Sequence, residues 1–185
     1  MAQQTAQPGI AFCTFCDEIN KDSVTRTFEL FAKLTQQHIR AIHLLFQSMG
    51  GHTPEGITLY NYFKTFPIEL HLYNTGGVAS AALTAFVGAK HRYASTHATF
   101  LLHKATSTSE IPMNAFQHRQ LARTLEIDEA RTEAILKGAI QMPPEKWTAY
   151  ETAHATITAQ EALQYGLITD IRDFPPTAGS QLFDI

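Results

Sequence analysis

The sequence predicts an α/β fold in which repeated βαβ units build a largely parallel sheet. Apolar runs of strand length alternate along the chain with segments of helical pattern, as expected of parallel strands joined by crossover helices. No repeat, low-complexity stretch or linker divides the 185 residues, and this length fits one domain of ordinary size. We therefore predict a single domain over residues 1–185, in which a short segment of nine residues precedes the first strand.

The individual elements follow from the apolar runs and their boundary signals. The predicted strands are Ile10–Cys16, Ala41–Gln47, Ile68–Tyr73, His91–Ala94 and Thr99–His103. The predicted helices are Asp22–Gln37, Pro54–Phe66, Ala79–Gly88, Met113–Ile140, Glu145–Glu151 and Ala159–Tyr165. Thr53 followed by Pro54 suits an N-cap with proline at the first helical position. Thr158 with Glu161 forms a capping-box pattern, and Gly166 ends the last helix.

The predicted helix Met113–Ile140 is unusually long. At about 28 residues it would span roughly 40 Å, more than a domain of this size needs for itself. It carries eight charged residues, including the favourably oriented pair Glu133 and Lys137. A solvated surface helix is one interpretation. Because of the length, we favour a projecting element that docks onto another subunit.

Composition excludes several classes of protein. Charged residues make up 17% of the chain, below the roughly 25% of typical domains, and the formal net charge is −3. No apolar run approaches the ~20 residues of a membrane span, and Met1–Gly9 lacks the basic and apolar parts of a signal peptide. The chain also lacks the basic stripe of a nucleic-acid-binding protein. The sequence thus predicts a cytoplasmic globular domain, with no membrane or nucleic-acid partner.

Cys13 and Cys16 form a Cys-x-x-Cys pair, a spacing found in redox and zinc sites. Both lie in a predicted strand, where residues three apart point to opposite faces, and no second pair of ligands occurs at similar spacing. We therefore predict two buried core thiols, and no metal or other cofactor.

Two glycine turns each follow an apolar strand and precede a helix. One runs from Phe46 to Gly51, and the other from Asn74 to Ala82. Paired glycines at such a turn let backbone N–H groups face a phosphate, or the oxyanion formed in acyl transfer. Neither turn carries the phosphate-loop or dinucleotide-binding pattern.

Two residues carry reactive side chains: Ser80 lies within the second glycine turn, and His103 lies at the end of a later predicted strand. Ser80 begins a predicted helix, where it could equally be an N-cap or a small packing residue. His103 ends an apolar strand, where it could be a hydrogen-bonded core residue. Together with the glycine turns, however, the hydroxyl and the imidazole describe an acyl-transfer site.

The ordered set of motifs resembles the proteolytic subunit of the Clp protease, within the ClpP/crotonase superfamily. Gln47-Ser48-Met49-Gly50-Gly51 stands where that family has Asn-Ser-Pro-Gly-Gly. Gly76-Gly77-Val78-Ala79-Ser80-Ala81 corresponds to Gly-x-Ala-Ala-Ser-Met, and Leu101-Leu102-His103-Lys104 to Met-Ile-His-Gln. The segment from Thr158 to Ile168 corresponds to Ser-Ala-x-Glu-Ala-x-x-Tyr-Gly-Leu-Ile. The resemblance covers about Ile10 to Asp170.

This resemblance implies a serine peptidase. Ser80 would be the nucleophile, His103 the general base, and the N–H groups of Gly51 and Ala81 the oxyanion hole. It also implies a fold of βαβ turns with a protruding handle helix at about residues 113–140. The family assembles as two stacked seven-membered rings that enclose a chamber, and a dedicated ATPase feeds unfolded chains into it.

Three departures from the family pattern are visible. His154 stands where the family has its triad aspartate, so a Ser-His-His arrangement is implied; Glu151 is the nearest acid that could substitute for it. Met49 replaces a proline of the first glycine turn. The segment 1–9 is shorter than the family's pore-lining N-terminal segment, which leaves partnership with an ATPase open.

Two further hypotheses remain. A crotonase-like acyl-CoA enzyme would use the same glycine turns to polarise a thioester, but it needs a catalytic acid, and none is close to Ser80 in sequence. The other hypothesis is a catalytically weak or inactive ring component, in which the replacement of the triad aspartate by His154 would be tolerated. The low charge fraction fits a subunit that buries its flanks in an assembly.

Overall fold

A computed structural model describes residues 9–107 and 111–185 of the chain. The strands are β1 Ile10–Cys16, β2 Ala41–Gln47, β3 Glu69–Asn74, β4 Gly77–Ala79, β5 His91–Ala94, β6 Thr99–His103, β7 His154–Thr158, β8 Asp170–Ile171 and β9 Leu182–Asp184. The helices are α1 Lys21–Gln36, α2 Thr53–Thr65, α3 Ala81–Phe86, α4 Ala115–Ala139, α5 Pro144–Thr152 and α6 Ala159–Gln164.

Two sheets organise the described residues. The larger one has the strand order β8-β5-β3-β2-β1-β9, and all of its neighbouring strands are parallel. The smaller one has the order β4-β6-β7, in which β6 pairs with β4 in parallel and with β7 in antiparallel register. The predicted α/β class with a largely parallel sheet is therefore confirmed.

One face of the central strands forms the core. In β2, Ile42, Leu44 and Phe46 are fully buried, whereas His43 and Leu45 on the opposite face are half-buried. Phe46 stacks on Phe15 of β1 with ring centroids 4.9 Å apart. The period-2 alternation thus assigns aliphatic and aromatic side chains to the core, and leaves a face of mixed polarity outside it.

The predicted strands match the structure to within one residue, and four short strands were missed. The predicted helix Ala79–Gly88 is shorter than expected, because Gly77–Ala79 pairs with β6 as β4 and α3 begins only at Ala81. The strands β4, β8 and β9 have only two or three residues each, too few for a periodic pattern, and β7 has five residues of which only Ala155 and Ile157 are apolar. Their pairing depends on tertiary contacts, which a local pattern does not contain.

The prediction of two buried thiols is wrong for Cys16. Cys13 is fully buried in β1, but Cys16 is the last residue of the strand, points to the other face and is exposed. Burial raises the pKa of Cys13 to about 12.

The long predicted helix is present as α4, with 25 residues. Its buried residues are Asp128 and Leu136, and its last third packs near α2 and α3. Phe116 and Ile127 are 61% and 45% exposed, so the first half of α4 carries apolar side chains that the described residues do not cover. No helix among the described residues is both long and apolar enough to cross a membrane.

Candidate active site

Ser80 occupies the sharp turn between β4 and α3. Its backbone has φ 54° and ψ −129°, and His38 is the other non-glycine residue with positive φ in the described part of the chain. This conformation is uncommon for a residue with a Cβ atom and stores strain on the order of 1–3 kcal/mol. The turn is fixed on both sides. The Ser80 N–H donates to the Leu101 carbonyl at 3.0 Å, and the Ser80 carbonyl accepts the Leu83 N–H at 3.0 Å.

The first glycine turn lies directly against Ser80. A Cβ atom at Gly50, where φ is +100°, would stand 2.6 Å from the Cβ of Ser80. At Gly51 a Cβ atom would stand 2.2 Å from the Ile19 carbonyl oxygen. Only glycine fits at either position, because side chains at these distances would displace backbone.

Backbone hydrogen bonds join the two glycine turns that the sequence singles out. The Ser48 N–H donates to the Gly77 carbonyl at 3.2 Å, and the Ala79 N–H donates to the Ser48 carbonyl at 2.9 Å. The Ser48 hydroxyl accepts the Gly50 N–H at 3.1 Å, which holds the turn at the position where Met49 replaces proline. For the Gly51 N–H, no acceptor occurs among the described residues. This N–H is available to a ligand, as an oxyanion donor must be.

His103 ends β6 and is half-buried. Its Nδ1 atom lies 2.8 Å from the Lys104 carbonyl oxygen, so the Nδ1–H donates to that oxygen and Nε2 keeps its lone pair. His154 stands directly opposite His103 in the β6–β7 ladder and is exposed. The Nδ1 of His103 therefore takes its partner from its own strand end rather than from His154. Glu151 is exposed on α5.

One pocket brings most of the predicted site together. Ser80, Ala81 and His103 line it, and Gly51 lines an adjacent groove with Met49, which is 71% exposed. His154 is not among the residues that line either one. The structure thus places the predicted nucleophile, base and one predicted oxyanion donor, Ala81, in one pocket, with Gly51 in a second groove and His154 in neither.

Sequence reasoning missed the far wall of this pocket, which comes from α4 and α5. Its lining residues there are Glu129, Thr132, Leu136 and Tyr150. Burial, together with the nearby carboxylates of Glu133, Glu129 and Glu151, raises the pKa of Tyr150 to about 12. Two pocket hydroxyls, those of Thr84 and Thr132, have no hydrogen-bond partner among the described residues.

Lys104 connects His103 to this wall. Its Nζ atom lies 3.6 Å from Glu129 and 3.5 Å from Glu133, and it sits 4.8 Å above the centre of the Tyr150 ring. The two glutamates are one helical turn apart, a spacing visible in the sequence. What the sequence could not show is that α4 folds back over the end of β6.

Comparisons with known proteins agree with this architecture. Residues 10–174 match the family model described as Clp protease. The chain is 26% identical over 159 residues to the ATP-dependent Clp protease proteolytic subunit 2 of Pseudomonas aeruginosa, covering 84% of this chain and 76% of that protein. It is 25% identical over 155 residues to the ATP-dependent Clp protease proteolytic subunit 3 of Rhizobium etli, covering 83% and 79%.

A solved structure shares the fold. A mutant of ClpP1 from Listeria monocytogenes superposes with a TM-score of 0.75 at 19% identity, over 88% of this chain and 91% of that one.

Proposed function

This chain belongs to the Clp protease family, and we propose that it is a serine peptidase that cleaves peptide bonds through an acyl-enzyme at Ser80. The observation that carries the proposal is the strained Ser80 turn, which stands against Gly50 and shares a pocket with His103. A hydroxyl, an imidazole and the Ala81 N–H in one pocket, with the Gly51 N–H in a second groove, are the parts that acyl transfer requires.

The proposed reaction starts with Ser80. Its Oγ attacks the scissile carbonyl carbon while His103 Nε2 takes the hydroxyl proton. The N–H groups of Gly51 and Ala81 hold the oxyanion of the tetrahedral intermediate. When the intermediate collapses, the C–N bond breaks and His103 gives its proton to the leaving amine. Water then attacks the Ser80 ester with His103 as base. The bond between Oγ and the acyl carbon breaks, His103 returns the proton to Oγ, and the new carboxylate leaves.

The third member of the site has two candidates. His154 remains the one implied by family position, and the Lys104 carbonyl is the one supported by distance, at 2.8 Å from His103 Nδ1. We propose that the carbonyl fixes the tautomer of His103. A neutral oxygen stabilises the imidazolium less than a carboxylate does, so slow turnover is expected.

We further propose that the protein works as a homo-oligomer, with heptameric rings stacked in pairs around a chamber that admits peptides or unfolded chains. The exposed Phe116 and Ile127 on α4 support this proposal, because a handle between rings would bury them. A mass measurement in solution tests it, and a stable monomer would contradict it. The proposal does not require an ATPase partner.

The test of the reaction uses a fluorophosphonate probe and a fluorogenic peptide. We expect the probe to label the wild-type chain and to leave Ser80→Ala unlabelled; equal labelling of both would overturn the assignment. Clean oligomers that never react would favour an inactive ring component.

The acyl-CoA alternative now has a carboxylate in the pocket, Glu129, although Lys104 is paired with it. If calorimetry showed binding of an acyl-CoA and no peptide were hydrolysed, the result would favour an acyl-CoA enzyme over the proposed peptidase.

A further inference from the structure

Three ligand-type side chains meet on one face of the large sheet, and none of them lines the Ser80 pocket. Glu69 is the first residue of β3, His71 is the third residue of the same strand, and His91 is the first residue of β5. His71 and His91 are register partners on adjacent parallel strands, and Glu69 precedes His71 by two residues. All three side chains therefore point to the same face of the sheet.

The ligand atoms of these side chains are close together. The Oε1 atom of Glu69 lies 3.1 Å from Nε2 of His71 and 3.5 Å from Nε2 of His91. One ligand atom from each residue falls within 4.8 Å of the others. Around a tetrahedral zinc ion with bonds of about 2.0–2.1 Å, neighbouring ligand atoms stand roughly 3.3 Å apart. The cluster is thus near the dimensions of a metal site.

We propose that Glu69, His71 and His91 bind one divalent transition-metal ion, with Zn²⁺ the best match. Two imidazoles and one carboxylate are a donor set that zinc uses with a fourth position left to water or another ligand. Imidazole nitrogen also selects against Mg²⁺ and Ca²⁺, which prefer oxygen ligands. The site goes beyond the proposed peptidase reaction and does not depend on it.

Surrounding groups hold His71 in place for this role. Its Nδ1 atom lies 3.3 Å from the Tyr93 hydroxyl, which accepts the Nδ1–H when Nε2 carries a metal. On its other side the ring stacks on His43, with centroids 4.4 Å apart and planes inclined by 3°. His43 is itself fixed by a contact of 2.8 Å between its Nδ1 and the Tyr73 hydroxyl.

His91 is the ligand that must adjust. Its ring is inclined by only 20° to that of His71, so the two Nε2 lone pairs do not yet converge. The side chain is 30% exposed and lines an open groove, where its ring can turn about the Cβ–Cγ bond. Glu69, at 54% exposure in the same groove, gives the ion access from solvent. Metal binding would then cross-link β3 and β5 through side chains.

The test is calorimetric titration of the chelator-treated full chain with ZnCl₂. A Cys16→Ser background removes the exposed thiol as a competing ligand. We expect one Zn²⁺ per chain, no heat with Mg²⁺, and at least about tenfold weaker binding in Glu69→Gln and in His91→Gln. His97→Gln removes an exposed imidazole elsewhere and should leave the affinity unchanged.

A second measurement reports on the ligands themselves. Co²⁺ should give visible absorption bands in the parent chain that are lost in His91→Gln. If His91→Gln fails to fold by circular dichroism, the exposed Glu69→Gln decides the question. Absence of Zn²⁺ binding in the parent, or unchanged affinity in the ligand variants, would overturn the proposal. Glu69 would then only accept hydrogen bonds from the two rings.

Discussion

The Nδ1 atom of His103 lies 2.8 Å from the carbonyl oxygen of Lys104, the next residue in the chain. This contact fixes the imidazole tautomer that a general base needs, with the Nε2 lone pair free. It does so without a carboxylate. The orienting group is therefore part of the backbone at the end of β6, and its position depends on where Lys104 is held.

The first prediction concerns His154. If the Lys104 carbonyl orients His103, His154→Ala should keep kcat/KM for a fluorogenic peptide within about threefold, an effect below 1 kcal/mol. His103→Ala, which removes the base itself, should lower kcat by about 10²- to 10⁴-fold. A loss in His154→Ala as large as that in His103→Ala would instead make His154 the third member.

The second prediction concerns a variant that introduces a carboxylate at position 154, opposite His103. His154 stands opposite His103 in the β6–β7 ladder, so an aspartate there is the nearest replacement for a triad acid. We expect His154→Asp to raise kcat about tenfold, because a carboxylate stabilises the imidazolium better than a carbonyl oxygen does. His154→Asn, which has the same shape without the charge, is the control and should not gain. Equal rates in the two variants would contradict the electrostatic explanation.

The third prediction concerns Lys104 as a positioning residue. Its ammonium group is held by Glu129 and Glu133 of α4, and this contact anchors the carbonyl that faces His103. Lys104→Met should lower kcat about three- to tenfold with little change in KM, since the base is misplaced while the pocket remains. Lys137→Met is the matched control, because Lys137 also pairs with Glu133 but is not the residue that follows His103. An equal loss in both variants would point to stability of α4 rather than to positioning.

The residues of this site differ in how far their positions could be predicted from the sequence. The two glycine turns follow β2 and β3, and His103 ends β6; the apolar runs of these strands are unambiguous, so the fold class and the meeting of Ser80 with His103 in one pocket were predictable. The contact between the Lys104 carbonyl and His103 was not predictable, because every residue has a backbone carbonyl and the residue type does not show where it points. Glu129 and Tyr150 were missed because the position of α4 and α5 over β6 is a tertiary outcome. The Glu69, His71 and His91 cluster needed the register between β3 and β5, which sequence alone leaves undetermined.

The fourth prediction compares two glycines. Gly50→Ala places a Cβ atom 2.6 Å from that of Ser80 at a φ of +100°, so it should lower the free energy of unfolding by about 1–3 kcal/mol and reduce probe labelling. Gly138→Ala on α4 meets no atom within 4 Å and should raise stability by up to about 1 kcal/mol through helix propensity. Denaturant unfolding measures both changes. A neutral effect of Gly50→Ala would contradict the close approach of the two turns.

The fifth prediction concerns the two cysteines and pH. Cys16 is exposed, but partial burial and the charge of Asp184 raise its pKa, so its labelling by a thiol reagent should accelerate as the pH rises above 8. Cys13, whose pKa burial raises to about 12, should react only after unfolding. Cys16→Ser should therefore remove all rapid labelling in native buffer. Rapid reaction of the remaining thiol would show that β1 opens in the native state.

Two fully buried threonines differ in whether their hydroxyls are satisfied. The Thr84 hydroxyl, in the wall of the Ser80 pocket, has no partner among the described residues, whereas that of Thr27 donates to the Ser23 carbonyl at 2.8 Å. Replacing an unsatisfied hydroxyl by a methyl group of the same shape removes a desolvation penalty, so Thr84→Val should raise the free energy of unfolding by about 1 kcal/mol. Thr27→Val breaks a hydrogen bond and should lower it by about 1 kcal/mol. Urea unfolding of both variants decides the matter. If Thr84→Val is destabilising like Thr27→Val, the hydroxyl has a partner in solution, and a water held in the pocket beside Ser80 is the group to look for.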